Sequence, residues 1–168
     1  MSAHVPTAIR PATPTDMPII GRLGALLVRI HHAFDPERFL AATPQTEEAY
    51  AGFLQEQLAD ADAIVLIAEH NGAVIGYSYA QIEGIDYMAL RGPAGVLHDL
   101  IVDPMYRGLG VGGMLLDATR SILAMRGVSQ VVLSTAARNE AAQRLFARAG
   151  FRPTMIEMTS AQTVPLPE

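Results

Sequence analysis

Residues 100–113 read Leu100-Ile101-Val102-Asp103-Pro104-Met105-Tyr106-Arg107-Gly108-Leu109-Gly110-Val111-Gly112-Gly113. An apolar run stops at a proline, a short loop follows, and a glycine cluster opens a segment where Val111, Leu115, Ala118, Ile122 and Met125 recur at helical spacing. A strand therefore gives way to a helix over 110–126, with Asp117 and Arg120 outside and Gly127 as its C-cap. The first N–H groups of such a helix lack internal partners and carry partial positive charge, which makes an anion site. Glycines admit phosphate oxygens close to the backbone, and Arg107 adds a charge-assisted contact. The arrangement suits a pyrophosphate. It is not a Walker loop, which needs Gly-Lys-Ser/Thr. Nor is it a dinucleotide fingerprint, which opens the first βα unit and carries an acid about 20 residues on. This cluster lies late in the chain, and Val128 to Ser134 contains no acid.

Working outward, Val96–Val102 is the strand that feeds the loop. Before it, Ala63–Glu69 and Ala73–Ile82 form an antiparallel pair around an Asn71-Gly72 turn, and Glu83–Gly95 is a long connection. Nearer the N-terminus, Thr7–Arg10 reads as a short strand. A helix over 16–31 is capped by Thr15, and a second, with Thr43-Pro44 at its start, carries the stripe Tyr50, Phe53, Leu54 and Leu58. His31-His32-Ala33-Phe34-Asp35-Pro36 separates the two helices. After the glycine-started helix come a strand over Val131–Thr135, a helix over Asn139–Ala149 and a last strand over Arg152–Thr159. That last strand is an edge able to support a homodimer, followed by a Pro-containing tail, Val164–Glu168. In the last helix Ala142, Leu145, Phe146 and Ala149 share a face, and Glu140 and Arg144 pair at i, i+4. The order is α/β with a mixed sheet in one layered domain, residues 1–168 with a core over about 7–160.

The chain has 168 residues, half of them hydrophobic, and a net charge of −5. That is a globular composition, and its sign disfavours nonspecific nucleic-acid or anionic membrane binding. There is no cysteine, which excludes disulfides, a thiol nucleophile and Cys-ligated zinc. All twelve basic residues are arginine, so Schiff-base chemistry is excluded as well. Met1–Arg10 lacks the features of a signal peptide, and a cytoplasmic protein is expected.

Two motifs together carry a resemblance. Arg107-x-x-Gly110-x-Gly112 follows a strand ending in Val-x-Pro, and Asn139-x-x-Ala142-x-x-Leu145-Phe146-x-x-x-Gly150-Phe151 follows at fitting distance. The sequence resembles the GCN5-related N-acetyltransferase superfamily from Ile9 to Met158. The resemblance implies a central sheet splayed between its fourth and fifth strands, with helices on both faces. It implies acetyl-CoA as cosubstrate and no metal. Leu100, Ile101 and Val102 would run beside the pantetheine arm. Arg107, Gly108, Leu109, Gly110, Val111, Gly112 and Gly113 would hold the pyrophosphate, and Asn139, Ala142 and Phe146 would lie along the cofactor. An amine of a small molecule or peptide would attack the thioester directly.

Many members place a tyrosine where this chain has Phe146, and that tyrosine protonates the departing thiolate. Phe146 donates nothing, so Tyr77, Tyr79, Tyr87 and Tyr106 are alternative acids. The departure also keeps open a CoA-binding module of weak or no catalysis. A protonated amine must lose a proton before attack. The strand offers His98 and Asp99 as bases, but on opposite faces, so both reach one site only if a bulge intervenes. In this family the region between the first two helices overhangs the acceptor. His31, His32 and Asp35 are therefore substrate-contact candidates, together with Glu83, Asp86 and Tyr87 of the long connection. Acids there favour a cationic amine. Two adjacent histidines are also ordinary at a helix end.

Overall fold

Alternating apolar residues in β2 (Ala63–His70) build the centre of the molecule. Ile64, Leu66 and Ala68 face one layer, while Val65 and Ile67 face the other, and all five are buried. The computed structural model describes residues 6–163. The tail Val164–Glu168 and the start of the leader reading, Met1–Val5, lie outside the described residues.

The chain runs β1 (Ala8–Pro11), α1 (Met17–Phe34), α2 (Thr46–Gln57), β2, β3 (Ala73–Glu83), β4 (Ala94–Val102), α3 (Val111–Met125), β5 (Val131–Leu133) and α4 (Glu140–Arg148). The strands lie in sequence order in one sheet. The first three pairings are antiparallel and β4–β5 is parallel. α1 and α2 cover one face and α3 and α4 the other. Asn71 and Gly72 both have positive φ and close the β2–β3 hairpin as the sequence predicts. Buried Ser78 of β3 meets the Thr119 hydroxyl of α3 at 2.8 Å, and Thr119 donates to the Leu115 carbonyl, so neither hydroxyl is left unsatisfied.

Several expectations need correction. Residues 152–159 form no strand; the segment 152–163 is irregular. Pro153 lacks a backbone donor, and Met155, Ile156 and Met158 find no apolar face, being 74%, 87% and 88% exposed. α1 runs on through His31 to Phe34, because the Asp35 N–H donates to the His31 carbonyl. Its start is organised by Thr13 and Asp16 rather than Thr15: the Thr13 N–H and hydroxyl both donate to the Asp16 carboxylate. α2 begins at Thr46, two residues past Pro44. The buried face of α3 is Val111, Leu115, Leu116, Thr119 and Leu123, while Met125 is 79% exposed. Asp117, Arg120 and Ser121 take the exposed side of that helix, and Thr119 turns inward to meet Ser78.

Candidate active site

β4 and β5 pair only from Gly95 with Val131 to Leu97 with Leu133. Beyond Leu97 the two strands part, and residues 98–102 of β4 keep a strand neighbour only on the β3 side. Ser134 and Thr135 leave the sheet at the same point, which is why β5 is shorter than the sequence suggests. Below the gap lies a cavity of about 360 Å³. Leu97, His98 and Leu100 of β4 line it. So do Ser134 and Thr135 after β5, Asn139, Ala142 and Phe146 around α4, and His31 and Tyr50 from α1 and α2.

The register of β4 against β3 slips at His98: Tyr79 faces Asp99, and Ala80 faces Leu97. His98 is the extra residue of a β-bulge, which breaks strict alternation and turns it toward the same face as Asp99. The His98 ring stacks on Tyr79, with centroids 5.2 Å apart. Its Nε2–H donates to Glu83 at 2.9 Å, and Arg91 holds the other Glu83 oxygen at 2.7 Å. Nδ1 of His98 is thereby left as the acceptor nitrogen. Asp99 accepts from the Tyr77 hydroxyl at 2.8 Å. Burial pushes the Asp99 carboxyl up, opposed by the Tyr77 hydrogen bond and by His98 and His31. Tyr50 and Tyr77 are pushed up as well, chiefly by burial and then by Asp99. His31 donates from Nδ1 to the Leu27 carbonyl at 2.9 Å, which leaves its Nε2 as acceptor.

At the end of β4, Asp103 accepts from the Met105 N–H and Arg107 Nε–H donates to the Val102 carbonyl. Gly108 and Gly110 both have φ +78°, and Gly110 is the N-cap of α3. The first helical bond runs from the Met114 N–H to the Gly110 carbonyl. Among the described residues, no protein acceptor pairs the N–H groups of Gly108 to Gly113. A side chain at Gly112 would come within 3.3 Å of Leu145, so this helix start packs closely on α4.

The family model for acetyltransferases of the GNAT family matches residues 27–151. The chain belongs to the GNAT acetyltransferase family. It is 31% identical over 101 residues to the uncharacterized N-acetyltransferase YhfO of Bacillus subtilis, covering 59% of this chain and 65% of that protein. It is 38% identical over 89 residues to the mycothiol acetyltransferase of Thermobispora bispora, covering 51% and 28%. The chain thus spans less than two thirds of the length of these relatives. Its fold is that of the tetramutant BH1408 protein from Bacillus halodurans, with a TM-score of 0.80 at 22% identity over 92% of this chain and 99% of the other. It is also that of aminoglycoside N-acetyltransferase AAC(6')-Iy in complex with CoA, with a TM-score of 0.72 at 20% identity over 96% and 98%.

Within this GNAT domain the cavity brings His98 together with His31, Leu100, Asn139, Ala142 and Phe146. Asn139 also caps α4, its side chain accepting from the Ala142 N–H at 3.2 Å. Asp99 does not line the cavity but sits behind it, half-buried, under Tyr77. Ile101 is buried against the α1 and α2 layer and Val102 packs toward α3 and α4. The loop from Arg107 to Gly113 lies outside the cavity. The remaining substrate candidates lie outside it too. His32 donates to the Phe39 carbonyl, Asp35 accepts from Glu37 and Arg38 N–H groups, and Glu83 is tied to His98 and Arg91. Tyr87 is 74% exposed. None of Tyr77, Tyr79, Tyr87 and Tyr106 lines the cavity. Tyr50, Arg38, Ser134 and Thr135 do, and sequence reasoning passed over them. Ser134 and Thr135 were visible as the polar end of a buried strand, whereas Tyr50 reads as an ordinary core position four residues before Leu54.

Proposed function

We propose that this chain transfers an acetyl group from acetyl-CoA to an amine. The observation that carries the reading is the run of unpaired N–H groups from Gly108 to Gly113, placed just past the end of the β4 segment that has parted from β5. Such a run at a helix start fits a diphosphate, and the residues present need no rearrangement to offer it. Gly108 to Gly113 and Arg107 would hold that diphosphate. The open edge of β4 from Leu100 to Val102 would take the pantetheine amides in strand fashion, and Ala142 and Phe146 would form its apolar wall. Acetyl-CoA supplies a thioester whose carbonyl carbon the amine nitrogen attacks.

His98 takes the proton from the attacking amine at Nδ1. Glu83 fixes its ring through Nε2–H, and the Asp99 carboxylate behind it favours the resulting imidazolium. Phe146 supplies no proton, and its ring is buried against Phe151 in an edge contact. Thr135, Ser134 and Tyr50 are the hydroxyls that line the cavity and can return a proton to the sulfur. The second reading, a CoA-binding module without transfer, rests on Phe146.

Calorimetric titration with CoA and a thiol-release assay over a panel of amines test both. Gly110→Glu places a carboxylate on the amide cradle, and CoA affinity should fall at least a hundredfold. Unchanged affinity rejects the cradle. Wild-type protein that binds CoA yet releases no thiol with any amine supports the second reading.

A further inference from the structure

Among the described residues lining the cavity, Arg38 carries the only permanent charge. It lies between α1 and α2, with its guanidinium carbon 4.9 Å from the centroid of the Phe39 ring, which lines the same cavity. Its planar fork is closed by a carboxylate. Nη2 donates to Oε2 of Glu157 at 2.9 Å, and Nε donates to Oε1. Glu157 belongs to the irregular segment 152–163, and its side chain is 69% exposed. Among the described residues, these are the only hydrogen bonds made by residues 152–159. The neighbouring Met155, Ile156 and Met158 are exposed, so no apolar packing pins the segment down.

An aromatic-stacked arginine at the mouth of the cavity thus already holds a carboxylate in the two-pronged geometry that guanidinium favours. The carboxylate it holds is on a segment, residues 152–159, that makes no other hydrogen bond among the described residues. An ion pair this exposed contributes little to stability, so exchanging Glu157 for another carboxylate is undemanding. Leu27, Val28, Phe39 and Leu40 make an apolar side of the lining, and the His31 ring lies 5.2 Å from that of Phe39. His98, the amine end of the reaction, lines the same cavity.

We propose that Arg38 binds a carboxylate of the acceptor and that Glu157 is an internal surrogate which the acceptor displaces. The inference rests on the acetyl-transfer reading and narrows its acceptor to a small molecule bearing both an amine and a carboxylate. The apolar lining makes this an α-amino acid with an apolar side chain.

Matched pairs test it. With protein saturated in CoA, calorimetry compares L-leucine with isoamylamine and L-phenylalanine with phenethylamine, each amine being the amino acid without its carboxylate. The amino acid should bind at least tenfold more tightly than its amine. Arg38→Gln should erase the difference, and Glu157→Gln should strengthen amino-acid binding several-fold while leaving the amines unchanged. Neither variant should alter CoA affinity. Both positions are exposed, so the variants fold. Equal affinity within each pair, binding of neither amino acid, or indifference to Arg38→Gln overturns the assignment. A loss of CoA affinity in Arg38→Gln overturns it too, because the guanidinium then serves a CoA phosphate. Thiol release with amines that lack a carboxylate, alongside any of these results, sinks the acceptor class and leaves the transferase standing. Failure of the wild-type protein to bind CoA removes both.

Discussion

Asp99 lies in β4 with Tyr77 donating to it and Tyr50, His31 and His98 within electrostatic reach. Burial raises its pKa above the ordinary carboxylate value, so between the usual carboxylate range and the raised one the folded state holds a proton that the unfolded chain has already released, and above that window Asp99 is ionised in both. The sign of the consequence follows: stability falls as pH rises from the usual carboxylate range through the raised one, and stays lower above it. Asp99→Asn removes the ionisation and keeps an oxygen for the Tyr77 hydroxyl. Its melting temperature should exceed that of the wild type at pH 7 and match it near pH 3, while turnover falls roughly tenfold or more as protonated His98 loses its counter-charge. A variant less stable than the wild type at neutral pH would contradict this account. His98→Ala should cost on the order of 10²-fold in turnover. The deficit should be largest at acidic pH and narrow as pH rises, because the amine then sheds its own proton. A deficit independent of pH takes His98 out of the proton transfer.

α1 and α2 are held closer than ordinary helices by two glycines. A Cβ at Gly21 would lie 2.4 Å from the Glu47 carbonyl oxygen, and one at Gly24 would lie 2.2 Å from the Tyr50 ring. Replacing a helical glycine by alanine ordinarily gains up to about 1 kcal/mol in propensity. At Gly24 the overlap with a half-buried aromatic ring outweighs that gain, at about 1–3 kcal/mol. Gly24→Ala should therefore lower stability in urea unfolding and, by moving Tyr50, raise the acceptor KM more than that of acetyl-CoA. A more stable Gly24→Ala protein would show that Tyr50 yields freely. The same elements mark how far sequence reasoning reaches. The glycine loop and the Asn71-Gly72 hairpin were legible because positive φ and a helix start impose residue types locally. The bulge at His98 was legible only as a condition for two bases to meet. Tyr50 and Arg38 were not legible, because the cavity they line is closed by elements distant in sequence: Tyr50 packs on Gly24, and Arg38 meets Glu157, 119 residues away. The absent strand at 152–159 misled for the opposite reason: alternation is local, whereas a strand needs a neighbour.

Arg10 joins the first strand, the second strand and the entry to the first helix into one unit. Its Nη1 and Nη2 donate to Asp16 at 2.8 and 2.9 Å, and its Nε and Nη2 donate to Glu69 at 3.0 and 2.8 Å. Asp16 is almost fully covered and also accepts from the Thr13 N–H and hydroxyl. The Arg10 guanidinium leads in holding its carboxyl down to about 2, against the opposing effect of burial and with help from Thr13. A depressed carboxyl contributes stability that is complete above the unfolded value of 3.8 and lost as pH falls through about 2. The contribution is about 2 kcal/mol. Asp16 and Asp99 thus act on the global equilibrium with opposite signs: acid removes the first contribution and relieves the second. They share no hydrogen-bond partner, so their effects should add. Urea unfolding at pH 7 should show Asp16→Asn weakened by about 2 kcal/mol and Asp99→Asn strengthened, with the double variant near the sum. At pH 2 both single variants should converge on the wild type. An Asp16→Asn deficit that persists undiminished at pH 2 would mean that packing around residue 16, rather than its charge on Arg10, holds the first strand to the helix.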